Sequence, residues 1–135
     1  MLTELHPRCS VIAVPSPLGE VVDRLTILGL KVERAADEEV RARATDLHTA
    51  LAAAWTAAGL PHWETLPEHP ALVEVNSALW TTEDALRRHE RRGDFGAEFV
   101  GHARAVYGLN DRRAALKAAI DRRLGSAFHE PKVYA

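Results

Sequence analysis

From Asp94 to Leu124 the chain reads as one uninterrupted helix, capped by Asp94 and stopped by Gly125. Roughly 30 residues at about 1.5 Å each make a rod about 45 Å long, the spine against which every other element must lie. Its apolar positions include Phe99, Val106, Ile120 and Leu124. At about 100° per residue, Asn110, Arg113 and Lys117 fall near the middle of that apolar arc rather than opposite it. A buried unpaired charge costs on the order of several kcal/mol or forces a pKa shift, so these groups need partners, water or a ligand.

Three further helices precede this spine. Ser16 followed by Pro17 predicts an N-cap with proline at the first helical position, opening a helix to about Arg34 whose stripe is Leu18, Val21, Val22, Leu25, Leu28 and Val32. Asp37 caps a second helix with the face Val40, Ala44, Leu47, Leu51, Trp55 and Ala58, ending at Gly59 and Pro61. Residues 59–70, with three prolines and two histidines, predict a loop over the bundle end. A third helix runs from near Pro70 to about Arg91, with Leu72, Val75, Leu79, Trp80 and Leu86 inward. The short β-prone run 9–14 and the tail 128–134 are extended segments that can pair with each other. The expectation is one all-α domain over residues 1–135, a four-helix bundle with short extended N- and C-terminal segments.

Composition narrows the function classes. A formal net charge of −2 with interspersed signs lacks the basic face that nucleic-acid binding requires. The single cysteine, Cys9, excludes an intrachain disulfide and suits a reducing cytoplasm; its extended flanks offer no base to activate the thiol. The opening MLTELHPRCSVIAV has no basic region followed by a long apolar run, so neither a signal peptide nor a membrane span is expected. The seven histidines form no HExxH and no pair of ExxH motifs, and the Glu98/His102 spacing reads as a surface contact, so no metal or cofactor is expected. No glycine-rich phosphate loop, serine nucleophile elbow or RNA-binding aromatic signature is present.

The third helix repeats the anomaly of the fourth, because Asn76, Glu83 and Arg87 project within the arc that holds Leu79 and Trp80. Glu83 facing Arg113 or Lys117 would neutralise charge in a low-dielectric layer. Such a layer can hold an anion on Arg113 and move protons through Glu83 or Lys117. Three readings stand open on periodicity alone: a ligand site, an internal network fixing helix register, and the seam of a homodimer. On the first helix, Glu20, Asp23, Arg24, Lys31 and Arg34 lie opposite the main stripe and read as a solvated face with a Glu20–Arg24 pair. Ile27 in the middle of that face is discordant, and suggests a helix covered on two sides with Glu20, Asp23 and Lys31 at the rim of a cleft.

The run Ser16-Pro-Leu-Gly-Glu20-Val-Val-Asp23-Arg24-Leu-Thr26-Ile27-Leu28-Gly-Leu-Lys31 resembles the opening of a family of short bacterial proteins of unknown function, S-x-G-E-L-[IV]-D-[KR]-[IL]-T-I-L-x-x-K. The resemblance returns at Asn76 to Asp84, at Phe99, from Ala105 to Lys117 with its Tyr107, Asn110, Asp111 and Arg113, and in the tail Gly125 to Tyr134. It leaves out the second helix and the proline-rich loop, which is longer here. The family has no assigned activity, and its members often occur near surface-polysaccharide genes, which implies a biosynthetic setting. Its pattern includes Glu20, Asp23, Thr26, Lys31, Asn76, Trp80, Glu83, Asn110, Asp111, Arg113 and Lys117. Arg24 departs from the lysine common there, and arginine cannot serve as a base.

Two functions follow as expectations. The first is a small cofactor-independent lyase or isomerase acting on an anionic metabolite. Glu83, Lys117, Glu20 and Asp23 would supply acid–base groups, and Arg113, Asn110, Asn76, Trp80 and Lys31 would bind the substrate. The second is a non-catalytic binding or partner protein, dimeric or not, that assists biosynthetic enzymes. An enzyme needs Glu83, Arg113 and Lys117 to converge on an open cavity of a few hundred Å³. A binding module instead shows them saturated by each other, with apolar surface exposed elsewhere.

Overall fold

The computed structural model describes residues 10–131. Four helices occupy most of them: α1 (Leu18–Arg34), α2 (Glu38–Ala57), α3 (His69–Arg92) and α4 (Ala97–Leu124), with a single 3-10 turn at Trp63–Thr65. The architecture is an all-α four-helix bundle. Its two ends of α3 and α4 meet at a tight connection in which Gly93 adopts φ +66°, the left-handed conformation that glycine takes without a Cβ penalty.

α1 is the central element. It packs against α2 on one side and against α4 and α3 on the other, whereas α2 packs chiefly on α1 and α3 chiefly on α4. Val22, Leu25, Leu72 and Ile120 are buried together with Trp55, Trp63 and Leu66 in one apolar cluster. The proline-rich connection therefore contributes to the core rather than merely spanning the bundle end. Trp63 and Leu66 insert from it, and the Trp55 indole N–H donates to the Pro61 carbonyl at 2.7 Å, tying it to α2. Without that bond the indole nitrogen would be a costly polar group inside an apolar cluster.

Helix ends follow local chemistry, with two corrections. Asp37 caps α2 as expected, its carboxylate accepting from the Glu39 and Val40 amides. Ser16 does not cap α1; its hydroxyl donates to the Pro17 carbonyl instead, and Pro17 precedes the first helical residue. Asp94 closes a turn by accepting from Gly96 N at 3.2 Å, and α4 begins only at Ala97. The described parts of the two extended segments, residues 10–14 and 128–131, do not pair as strands. Among the described residues there is no strand, while Cys9 and residues 132–134 lie outside the described region. Of the stripe assigned to α2, Val40 and Leu47 are exposed and only Ala44 and Trp55 are buried, because one neighbouring helix covers only a narrow strip.

Candidate functional site

The first turn of α1 has no side-chain cap of its own, so the amides that begin it must be satisfied from elsewhere. They are reached by the end of α4. Gly19 N donates to the Asp121 carboxylate at 2.7 Å, and Leu18 N donates to the Ser126 hydroxyl at 3.1 Å. A carboxylate at a helix N-terminus also meets the positive end of the helix dipole. The approach that permits this is close. A Cβ built on Gly19 would lie 2.2 Å from the Lys117 carbonyl oxygen, so only glycine allows α1 and α4 to cross there.

One turn further along α1, Asp23 is fully buried and accepts from two helices at once. Asn76 Nδ2 of α3 donates at 2.8 Å, and Arg113 Nε of α4 donates to both carboxylate oxygens at 3.0 Å, with Nη2 adding a further bond. These hydrogen bonds raise the Arg113 pKa above the ordinary guanidinium value, with burial opposing them and the charges of Asp23 and Glu20 reinforcing them. Lys117 forms a salt bridge with Glu20 and lies 3.9 Å from Asp23. Two carboxylates from α1 thus meet two cations from α4 in an antiparallel ladder, and Asn76 from α3 closes the set.

This arrangement corrects the reading of α1. The face carrying Asp23 and Thr26 is buried, because α1 is covered on both sides; Ile27 was the residue that betrayed it. Thr26 is satisfied within its own helix by donating to the Val22 carbonyl at 3.0 Å. Glu20 is engaged by Lys117, so the expected Glu20–Arg24 pair does not form, and Arg24 and Lys31 are exposed. The expected partner for Arg113 and Lys117 was Glu83; the acids that take that place are Asp23 and Glu20. The same wheel that singled out Asn110, Arg113 and Lys117 continues at i+4 to Asp121, which the sequence reading passed over.

Beside this network lies an open cleft of about 470 Å³ between α1, α3 and α4. Its apolar walls are Ile27, Leu30, Leu79 and Trp80. Asn76 and Arg113 line it while binding Asp23 behind it, so the buried carboxylate fixes the orientation of two polar wall groups. Glu83, Asp84 and Arg87 stand at its exposed edge. Of the proposed site residues, Glu83, Arg113, Asn76 and Trp80 share this cleft. Glu20, Asp23 and Lys117 form the ion-pair ladder and do not line it, nor does Lys31. Asn110 is exposed, with its Oδ1 3.5 Å from Arg113 Nη1.

Among the described residues, no group of three or more His, Cys, Asp or Glu side chains is placed to hold a metal ion. No helix among them is long and apolar enough to cross a membrane. No protein-family model, curated protein or solved structure matches the chain.

Proposed function

We propose that the protein is a binding module for a small metabolite that carries an anionic group, and that it serves enzymes of a biosynthetic pathway without catalysing a step itself. The observation that carries this reading is the saturation of Arg113 and Lys117 by Asp23 and Glu20 behind an otherwise open cleft. Charges engaged in this way act as a rigid floor and not as mobile acid–base groups. The ligand's apolar body lies against Trp80 and Leu79, its anionic group meets Arg87 and the outer edge of Arg113, and Glu83 accepts from a hydroxyl or amine. A cytoplasmic setting agrees with the single cysteine. Partner contact, whether with an enzyme or a second copy, would use the exposed Val100 and Tyr107, which lie seven residues apart on α4 and therefore on one face.

The test is calorimetric titration with a panel of small carboxylates and phosphate esters. Binding that weakens at least about tenfold in Trp80→Ala and in Arg87→Gln supports the reading. A ligand whose affinity neither substitution changes would overturn it.

A second reading, a lyase or isomerase, rests on Glu83, which lines the cleft and has no ion pair among the described residues. It predicts deuterium incorporation from solvent into a bound ligand, detected by NMR and abolished in Glu83→Gln with affinity retained. A ligand that binds without exchange excludes this chemistry for that ligand.

A further inference from the structure

Around α1 from the cleft, a second hollow of about 190 Å³ lies between α1, α3 and the 3-10 turn. Trp63 forms one wall, held by His62 stacked on it at 4.1 Å and by His48 edge-on at 5.8 Å. Leu25, Leu30 and Val73 complete the apolar lining. A neighbouring hollow of about 190 Å³ between α1 and α2 shares Gly29 and His48 with the first, so the two adjoin over the bare backbone of Gly29. A Cβ built on Gly29 would meet nothing within 4 Å, so a larger side chain can be placed at this shared lining position without a clash at its base.

The polar lining is one-sided. It offers the carboxylates of Glu33 and Glu64, the imidazoles of His48 and His69, and the Thr26 hydroxyl, with no lysine or arginine. Burial lowers the His69 pKa below the ordinary histidine value, outweighing the opposing charge of Glu64, so His69 is uncharged at neutral pH. Thr26 already donates to Val22, which leaves its oxygen to accept. The first cleft differs, being edged by two arginines.

We propose that this groove is a second binding site, selective for a small protonated aliphatic amine. The ammonium lies between Glu33 and Glu64 beside the Trp63 ring, and the alkyl chain runs along Leu25, Leu30 and the Gly29 backbone. Carboxylates with an aromatic wall and no competing cation are the chemistry that recognises an organic cation. The proposal is independent of what occupies the first cleft.

The experiment is a ¹H–¹⁵N NMR titration of the whole chain with n-butylammonium chloride, against sodium butyrate and sodium chloride as controls. Saturable shifts at Gly29, Thr26, Glu64 and the Trp63 indole N–H, absent with both controls, are expected. Gly29→Leu fills the groove and should abolish them, and Glu33→Gln with Glu64→Gln should weaken binding at least about tenfold without filling any space. Should Gly29→Leu fail to fold, the glutamine pair decides the matter alone. Shifts elsewhere, equal shifts with sodium chloride, or unchanged affinity in the glutamine pair would overturn the proposal.

Discussion

Two glycines ten positions apart on α1 should respond to alanine with opposite signs. At Gly19 the added methyl would sit 2.2 Å from the Lys117 carbonyl oxygen and 2.9 Å from its Cα, both backbone atoms that no rotamer change can move. Relief requires α1 and α4 to part by about 1 Å, and overpacking of this kind costs about 1–3 kcal/mol or more. The same movement stretches the Gly19 amide bond to buried Asp121, whose loss adds about 1–3 kcal/mol. Alanine's better helix propensity returns at most about 1 kcal/mol. The expected net loss is about 3 kcal/mol, on the order of 10 °C in Tm for a domain of this size. At Gly29 a Cβ meets nothing, so Gly29→Ala should gain about 0.5–1 kcal/mol. Urea titration of both variants beside the parent is the assay. If Gly19→Ala lies within about 0.5 kcal/mol of the parent, or Gly29→Ala is the more damaging, the close crossing is wrong.

Three other perturbations test the charge pairs. Asp23→Leu should cost about 3–5 kcal/mol by leaving Arg113 without its acid, and Asp23→Leu with Arg113→Leu should recover much of that loss; equal losses in both would show that the pair is not the cause. Lys117→Met should lose about 1–2 kcal/mol, because Glu20 is left without its partner in a partly buried position, whereas an equally or more stable variant would mean that the lysine is kept for a ligand. Glu68 accepts three hydrogen bonds from Arg123, which hold its pKa below the ordinary carboxylate value, the guanidinium contacts outweighing burial. A depressed carboxylate stabilises the fold above its unfolded pKa, and that contribution is lost as pH falls through the folded value. Denaturant stability of Glu68→Gln should therefore trail the parent at neutral pH and converge with it as pH falls through the depressed folded value; a gap that does not narrow in acid would contradict the pairing.

The helices were legible because their signals are local. Asp37, Gly59, Gly93 and Gly125 mark ends that need no tertiary knowledge, and the stripe on α1 identified one of its buried faces. Asn110, Arg113 and Lys117 stood out because periodicity exposes a polar residue on an apolar arc. What stayed hidden was pairing. A helical wheel places Asp23 opposite Leu25 and Val32, and only the presence of helices on both sides turns that polar face inward. The choice of Asp23 over Glu83 as the acid for Arg113 depends on which helices adjoin, which no spacing within one helix encodes. Trp63 and Leu66 were missed as core residues because proline-rich sequence signals a turn without saying what its side chains reach.

The cap on α1 also imposes an order on synthesis. The amides of Leu18 and Gly19 wait for Ser126 and Asp121, more than a hundred residues downstream. A nascent chain that has emerged only as far as α3 holds a first helix with an open end, a buried-type aspartate at position 23 without its arginine, and a glycine with no helix to cross. Such an intermediate lacks its most specific contacts until α4 is made, so the domain should close late and all at once rather than helix by helix. Premature termination within α4 would then release a chain that keeps the apolar contacts among α1, α2 and α3 but lacks the polar contacts that close α1.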